Sequence, residues 1–180
     1  MKLYCSPCGD LGGSAAVYAL LEAVFRLEYG GDFPVIKKTA NGKPYFQERR
    51  DIHFSLSHAR THVLCGLSTS PIGVDIESPR CISLRARSFF SKPEELRIFD
   101  PLDLWVLKES YVKLIGATLP MIKKLQFYRD GERIIPPDPN ASSRLYRICG
   151  CRAAVSTFGE AMPDDIELIS VPPSECLYPA

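Results

Sequence analysis

Apolar and polar positions along this chain alternate between helical and strand periods, beginning with a helix. From Ser14 to Glu28, Ala15, Ala16, Ala19, Leu20, Ala23, Val24 and Leu27 recur at the spacing of an amphipathic helix, which Gly30-Gly31 stops. Strand-like runs follow near 34–39, 44–46, 52–57, 62–68 and 71–77. In the third, Ile52, Phe54 and Leu56 alternate with His53, Ser55 and Ser57, so one face is apolar and the other polar. Helical segments are predicted over about 84–87 into Phe90 and over 93–99, and a second principal helix runs from 101 or 102 to 114. There Leu104, Leu107, Tyr111 and Leu114 form the core face, leaving Lys108, Glu109 and Lys113 on the opposite side or at a cleft edge. Strands near 123–129, 132–135, 144–150, 152–158 and 166–171 complete the pattern, with a rigid proline-rich loop at 136–140 and an irregular tail from Pro172-Pro173. Helix then antiparallel strands, twice over, predicts an α+β fold.

Composition narrows the possibilities. The 180 residues, 46% of them hydrophobic, suffice to bury a core as one compact unit or two small lobes. A net charge of +1 leaves no global footprint for nucleic acid, so that partner class is not expected. No stretch is long and apolar enough to span a bilayer, and residues 1–8 lack the apolar run of a signal peptide, so a cytoplasmic location is expected. Seven cysteines, an odd number without an export signal, argue against a disulfide framework. Cys5 and Cys8 form a C-x-x-C that could be half a zinc knuckle or a redox pair. The only second half, Cys149-Gly150-Cys151, has a spacing poorly suited to zinc. A thioredoxin-type role needs a preceding strand, for which Cys5 lies too near the terminus, so reduced structural cysteines are the expectation.

Charged residues carry the chemistry. Asp75 and Glu77 are two apart in a strand-like run, so both carboxylates leave one face. Glu109 and Lys113 are four apart in a helical run and share a helix face. Taken singly, each pair also reads as a solvated surface, worth roughly 0.3–0.5 kcal/mol. Three carboxylates and an ammonium converging on one point instead suit a hard divalent cation gripping phosphate oxygens, the equipment of an enzyme. Asn41-Gly42-Lys43-Pro44 is a tight turn that presents a lysine. The strand through Ser55 and Ser57 ends at His58, and His62 lies four residues on. The intervening turn denies that pair the helical geometry of a zinc site.

The ordered blocks Gly42-Lys43-Pro44, Phe54-Ser55-Leu56-Ser57-His58, Gly73-Val74-Asp75-Ile76-Glu77 and Trp105-(x)2-Lys108-Glu109-Ser110-(x)2-Lys113-(x)2-Gly116 closely resemble the Sfp-like 4′-phosphopantetheinyl transferases. Ile82-Ser83-Leu84 and the run Arg87 to Glu95 look like the connecting segment of that family, and the resemblance covers roughly 41–170. It implies two pseudo-symmetric lobes, each a helix on a small antiparallel sheet, with the active site in the cleft between them. The boundary is expected near 68–71, giving a shortened N-terminal lobe, 1–70, and a C-terminal lobe with the metal site, 71–180. Only 1–13 precedes the first helix, where the family has a longer basic segment.

The implied reaction is Mg²⁺-dependent transfer of 4′-phosphopantetheine from coenzyme A to a serine of an acyl or peptidyl carrier protein. By resemblance Asp75, Glu77 and Glu109 bind the metal, Glu109 serves as base, and Lys113 assists the leaving bisphosphate. Lys43, Pro44, Ser57 and His58 form the nucleotide site, with His58 also counted among catalytic residues and Lys108 as a phosphate or carrier contact. A monomer is expected. The alternatives are a noncatalytic carrier-binding module of the same fold, a different Mg²⁺-dependent phosphoryl-transfer enzyme, or a cysteine-rich structural protein. No Walker-type phosphate loop is present.

Overall fold

A computed structural model describes residues 1–170. Strand β1 (Lys2–Pro7) leads into α1 (Gly13–Tyr29), followed by β2 (Ile36–Lys38), β3 (Pro44–Phe46), β4 (His53–His58), β5 (His62–Ser68) and β6 (Ile72–Glu77). Then come α2 (Leu84–Phe90), α3 (Pro101–Ile115), β7 (Tyr128–Asp130), β8 (Arg133–Ile135), β9 (Ala141–Ile148), β10 (Cys151–Phe158) and β11 (Glu167–Leu168). One sheet has the order β11-β1-β5-β4, the other β6-β10-β9, and β2-β3 and β7-β8 form small two-stranded ribbons. The pairings are antiparallel except β1 with β11. The α+β class read from the sequence is the observed one.

Each main sheet is covered by a helix on one face. Helix α1 lays Leu20, Leu21, Val24 and Phe25 against Phe46, Phe54, Val63 and Leu67. Helix α3 packs Leu104, Leu107, Tyr111 and Leu114 into a second core with Phe127 and Ala154. Between the sheets lies a third core, where Leu3, Cys5 and Leu64 meet Ile72, Val74, Ile76 and Val155. Glu167 and Leu168 return to the first sheet beside Tyr4 and Cys5, so the end of the described chain crosses the expected 68–71 boundary.

At the junction, β4 and β6 lie side by side without a backbone ladder, and serine hydroxyls replace it. Ser55 Oγ accepts the Val74 N–H at 3.0 Å, and Ser57 Oγ accepts the Ile76 N–H at 3.2 Å. These bonds satisfy edge amides that burial would otherwise leave costly. The polar face of β4 is therefore an inward seam.

Three expectations change. Strand β1 is new, because four of its six residues are buried and a strand buried on both faces shows no alternation. Cys5 thus lies on a strand after all. Its side chain enters the inter-sheet core while that of Cys8 enters the α1 core, so the two thiols serve different packing clusters. Burial pushes Cys5 up to about 12, the mark of an inert thiol. The expected strand over 123–129 is present only at its end, as the start of β7, and Leu119–Lys124 before it is a 3-10 helix, because Ile122 and Leu125, three apart, both turn into the α3 core. The tail from Pro172-Pro173, with Cys176, lies outside the described residues.

Candidate active site

The site is built around α3. Asp100 accepts the Leu102 N–H and Pro101 opens the first turn, while Gly116 ends the helix at φ +62°. Within α3, Pro101, Trp105, Glu109 and Lys113 are the half-buried positions, spaced four apart on a helix buried elsewhere apart from its exposed last residue, Ile115. That stripe faces β6.

Across from it, Asp75 is buried. Its Oδ1 accepts Lys113 Nζ at 2.8 Å and Ser57 Oγ at 2.7 Å, while Oδ2 has no hydrogen-bond partner. Burial raises the Asp75 pKa above its ordinary value despite the Lys113 ammonium. Trp105 Nε1 donates to Glu77 Oε1 at 3.1 Å, and Arg80 clasps the same carboxylate at 2.9 and 3.2 Å. Glu109 is pushed up to about 7, by burial first and then by the Asp75 and Glu77 carboxylates, against the pull of Lys113 and Arg80.

Gly73 allows this proximity. A Cβ there would sit 1.9 Å from the Ser110 carbonyl oxygen and 2.3 Å from the Leu114 nitrogen, so α3 rests directly on the β6 backbone. A buried relay of Ser110, Ser156 and Ser143 hydroxyls, 2.9 and 2.8 Å apart, ties the same helix to β10 and β9.

Beside the carboxylates opens a pocket of about 330 Å³, lined by α1, the 41–44 turn, β4 and the end of α3. Lys43, Pro44, Ser57, His58 and Lys113 all line it, so the structure brings five of the expected site residues to one cavity. His58 is exposed at the end of β4, its ring resting where a side chain on Gly13 would otherwise stand. Lys43 is more constrained than a turn residue suggests: its Nζ donates to Ile72 O at 3.2 Å and Leu114 O at 3.0 Å. Burial lowers its pKa to about 8. Ser57, expected at a phosphate, spends its hydroxyl proton on Asp75.

Lys108 does not belong to this group, which corrects the expectation of a cleft or surface position. It is fully buried, and its three protons go to Phe90 O, Leu125 O and Glu95 Oε2 at 2.7, 2.8 and 2.7 Å. Glu95, equally buried, also accepts the Lys92 and Phe127 amides, both at 2.9 Å. The reason is that α3 is a central helix, covered by the sheet on one side and by α2 and the 125–127 segment on another. Its apolar set therefore did not define a single buried face. Sequence reasoning also passed over Trp105 and Arg80 as partners of Glu77. Trp105 could have been found, since it precedes Glu109 and Lys113 by four and eight residues on one stripe.

Whether these carboxylates suit a divalent cation can be tested on their chemistry. The buried, partnerless Asp75 Oδ2 and the carboxylate repulsion that adds to burial in lifting Glu109 both favour one. Among the described residues, no three His, Cys, Asp or Glu side chains are already gathered as a metal cage. A site that keeps water and substrate oxygens on a small hard ion needs no such cage. No helix of the described residues is long and apolar enough to cross a membrane.

No family model matches the chain. Curated proteins do. The chain is 34% identical over 146 residues to the 4′-phosphopantetheinyl transferase Sfp of Bacillus subtilis, covering 72% of this chain and 65% of that protein. It is 31% identical over the same length to the 4′-phosphopantetheinyl transferase ffp of Bacillus subtilis, with the same coverage. To the 4′-phosphopantetheinyl transferase gsp of Aneurinibacillus migulanus it is 36% identical over 92 residues, 46% of this chain and 38% of that one. The match thus spans just under two thirds of its longest-aligned relatives. With four motifs in order and their acidic and basic residues gathered between β6, α3 and one pocket, the chain belongs to the Sfp-like 4′-phosphopantetheinyl transferase family.

Proposed function

We propose that this protein transfers the 4′-phosphopantetheine of coenzyme A to a serine hydroxyl of an acyl or peptidyl carrier protein, with Mg²⁺ as cofactor. The observation that carries the reading is the meeting of Asp75, Glu109 and Lys113 across the β6–α3 contact, beside a pocket lined by Lys43, Ser57 and His58. The Asp75 and Glu77 carboxylates repel that of Glu109, which favours an added cation, and a pyrophosphate ester is a substrate that brings one.

In this reading Asp75, Glu77 and Glu109 would hold the ion, which would supply positive charge beside the phosphate oxygens. The β-phosphorus, the one bearing pantetheine, is attacked by the serine oxygen. The bond to the α,β-bridging oxygen breaks, giving phosphopantetheinyl-serine and 3′,5′-adenosine bisphosphate. Glu109 takes the serine proton, a role that its half-buried place on α3 beside Asp75 and Lys113 allows. Lys113 supports charge on the departing oxygen from its post on Asp75. Ser57 keeps Asp75 in place, and His58 and Lys43 line the space where the nucleotide phosphates lie. The two helix-covered sheets act as two lobes of one monomeric, cytoplasmic unit, with β11 returning to the first.

The test is direct. The protein is incubated with a carrier domain, coenzyme A and Mg²⁺, and the carrier is weighed. A gain of one phosphopantetheine is expected. No gain across several carriers that do bind would replace this reading with that of a noncatalytic carrier-binding module.

A further inference from the structure

Asp75 already has a cation in Lys113, and Glu77 has its own. Arg80, three residues on, grips it with two N–H groups, Nη2 to Oε1 at 2.9 Å and Nε to Oε2 at 3.2 Å. This is a fork-to-fork pair, the geometry in which a guanidinium holds a carboxylate best. Trp105 Nε1 adds a neutral donor to Oε1 at 3.1 Å. Asp75 and Glu109 lie within electrostatic reach of the same guanidinium. The arrangement is asymmetric. Lys113 serves Asp75 from inside, at 2.8 Å, while Arg80 approaches from the solvent side with its side chain 48% exposed.

We infer that Arg80 is a positioning residue, an internal counter-ion that occupies the Glu77 carboxylate until a divalent cation takes its place. The inference rests on the proposed metal role of Asp75, Glu77 and Glu109 and adds a competitor to it. An ion bound to Glu77 and Arg80 bound to Glu77 draw on the same two oxygens and repel each other, so each weakens the other's hold. The half-exposed guanidinium gives them up at little cost, because exposed ion pairs are weak and water receives the freed charge. Trp105 stays on Oε1 during the exchange and keeps the carboxylate aimed at α3. Arg80 thus sets cation affinity low enough to depend on the substrate phosphates, which bring negative charge of their own.

The test measures Mn²⁺ binding to the protein without coenzyme A, by electron paramagnetic resonance, for native protein, Arg80→Gln, Arg80→Lys, Trp105→Phe and Asp75→Asn. Arg80→Gln should bind Mn²⁺ roughly three- to tenfold more tightly, since the competing pair and the repulsion between guanidinium and ion both vanish. Arg80→Lys should fall between, keeping charge but losing the fork. Trp105→Phe should bind less tightly than native, which separates aiming from competition. A structural role for Arg80 would lower affinity on substitution or leave it alone, and either result overturns the inference. Loss of binding in Asp75→Asn identifies the site. Mn²⁺ binding that Asp75→Asn leaves intact would sink the metal reading itself, whatever Arg80 does, and the inference with it.

Discussion

Gly73→Ala is the sharpest single test of how this site is held together. The added Cβ would lie 1.9 Å from Ser110 O, 2.3 Å from Leu114 N and 3.0 Å from Leu114 Cα, all backbone atoms of a buried helix. Real Cβ contacts do not fall below 3.0 Å, so α3 must retreat from β6 by the difference, about 1 Å. Lys113 Nζ, now 2.8 Å from Asp75 Oδ1, would then stand beyond hydrogen-bonding distance unless its side chain re-extends. Overpacking of this kind costs about 1–3 kcal/mol, and the upper end applies because a helix backbone cannot rotate aside as a side chain can. At ~2–4 °C per kcal/mol for a chain of this size, the melting temperature should drop by about 6–12 °C. A misplacement of about 1 Å between reacting groups should slow transfer by ~10²-fold in the protein that remains folded. Thermal unfolding and carrier-mass kinetics below the new midpoint read the two effects separately. Gly66→Ala is the control, since its Cβ would meet the side-chain tips of Ile72 and Val74, which can yield, and should be milder on both counts. A Gly73→Ala protein with native melting and native turnover would refute the close-contact argument.

Further outcomes follow from the same geometry. Glu109→Gln should reduce transfer by ~10²–10⁴-fold. Its effect on stability has a definite sign: a carboxyl raised from 4.5 to about 7 contributes stability fully present below about 4.5 and lost as pH rises through 7. The metal-free variant should therefore exceed native stability at pH 8, by at most about 3 kcal/mol, with no gain near pH 4.5, as measured in urea. Ser57→Ala should lower turnover and Mn²⁺ affinity with little change in the coenzyme A KM, because the hydroxyl holds Asp75. A rise in KM alone would assign it to a phosphate instead. Lys108→Ala should cost about 3–5 kcal/mol by stranding Glu95, and Lys108→Met with Glu95→Gln should recover much of it. Neither should move the coenzyme A KM of folded protein, and a large shift would return Lys108 to the site.

The α+β class, the helices over 14–28 and 101–114, and the motif residues were all legible in the chain, because each rests on local spacing. Asp75 and Glu77 had to leave one face of a strand, and Glu109 and Lys113 one face of a helix, whatever the tertiary arrangement. The sequence did not determine which faces are wet. Lys108 follows Leu104 by four residues and sits on α3 as legibly as Glu109 does, yet one is sealed among Phe90, Leu125 and Glu95 while the other borders β6. That difference depends on what packs against each side of the helix, which local periodicity does not encode. Likewise Ser55 and Ser57 read as the polar face of a strand, and only the meeting of β4 with β6 turned them into acceptors for Val74 and Ile76. Strand β1, buried on both faces, had no alternation to betray it. Gly73 was visible as part of a motif, but its reason, a helix resting on bare backbone, exists only once β6 and α3 are brought together.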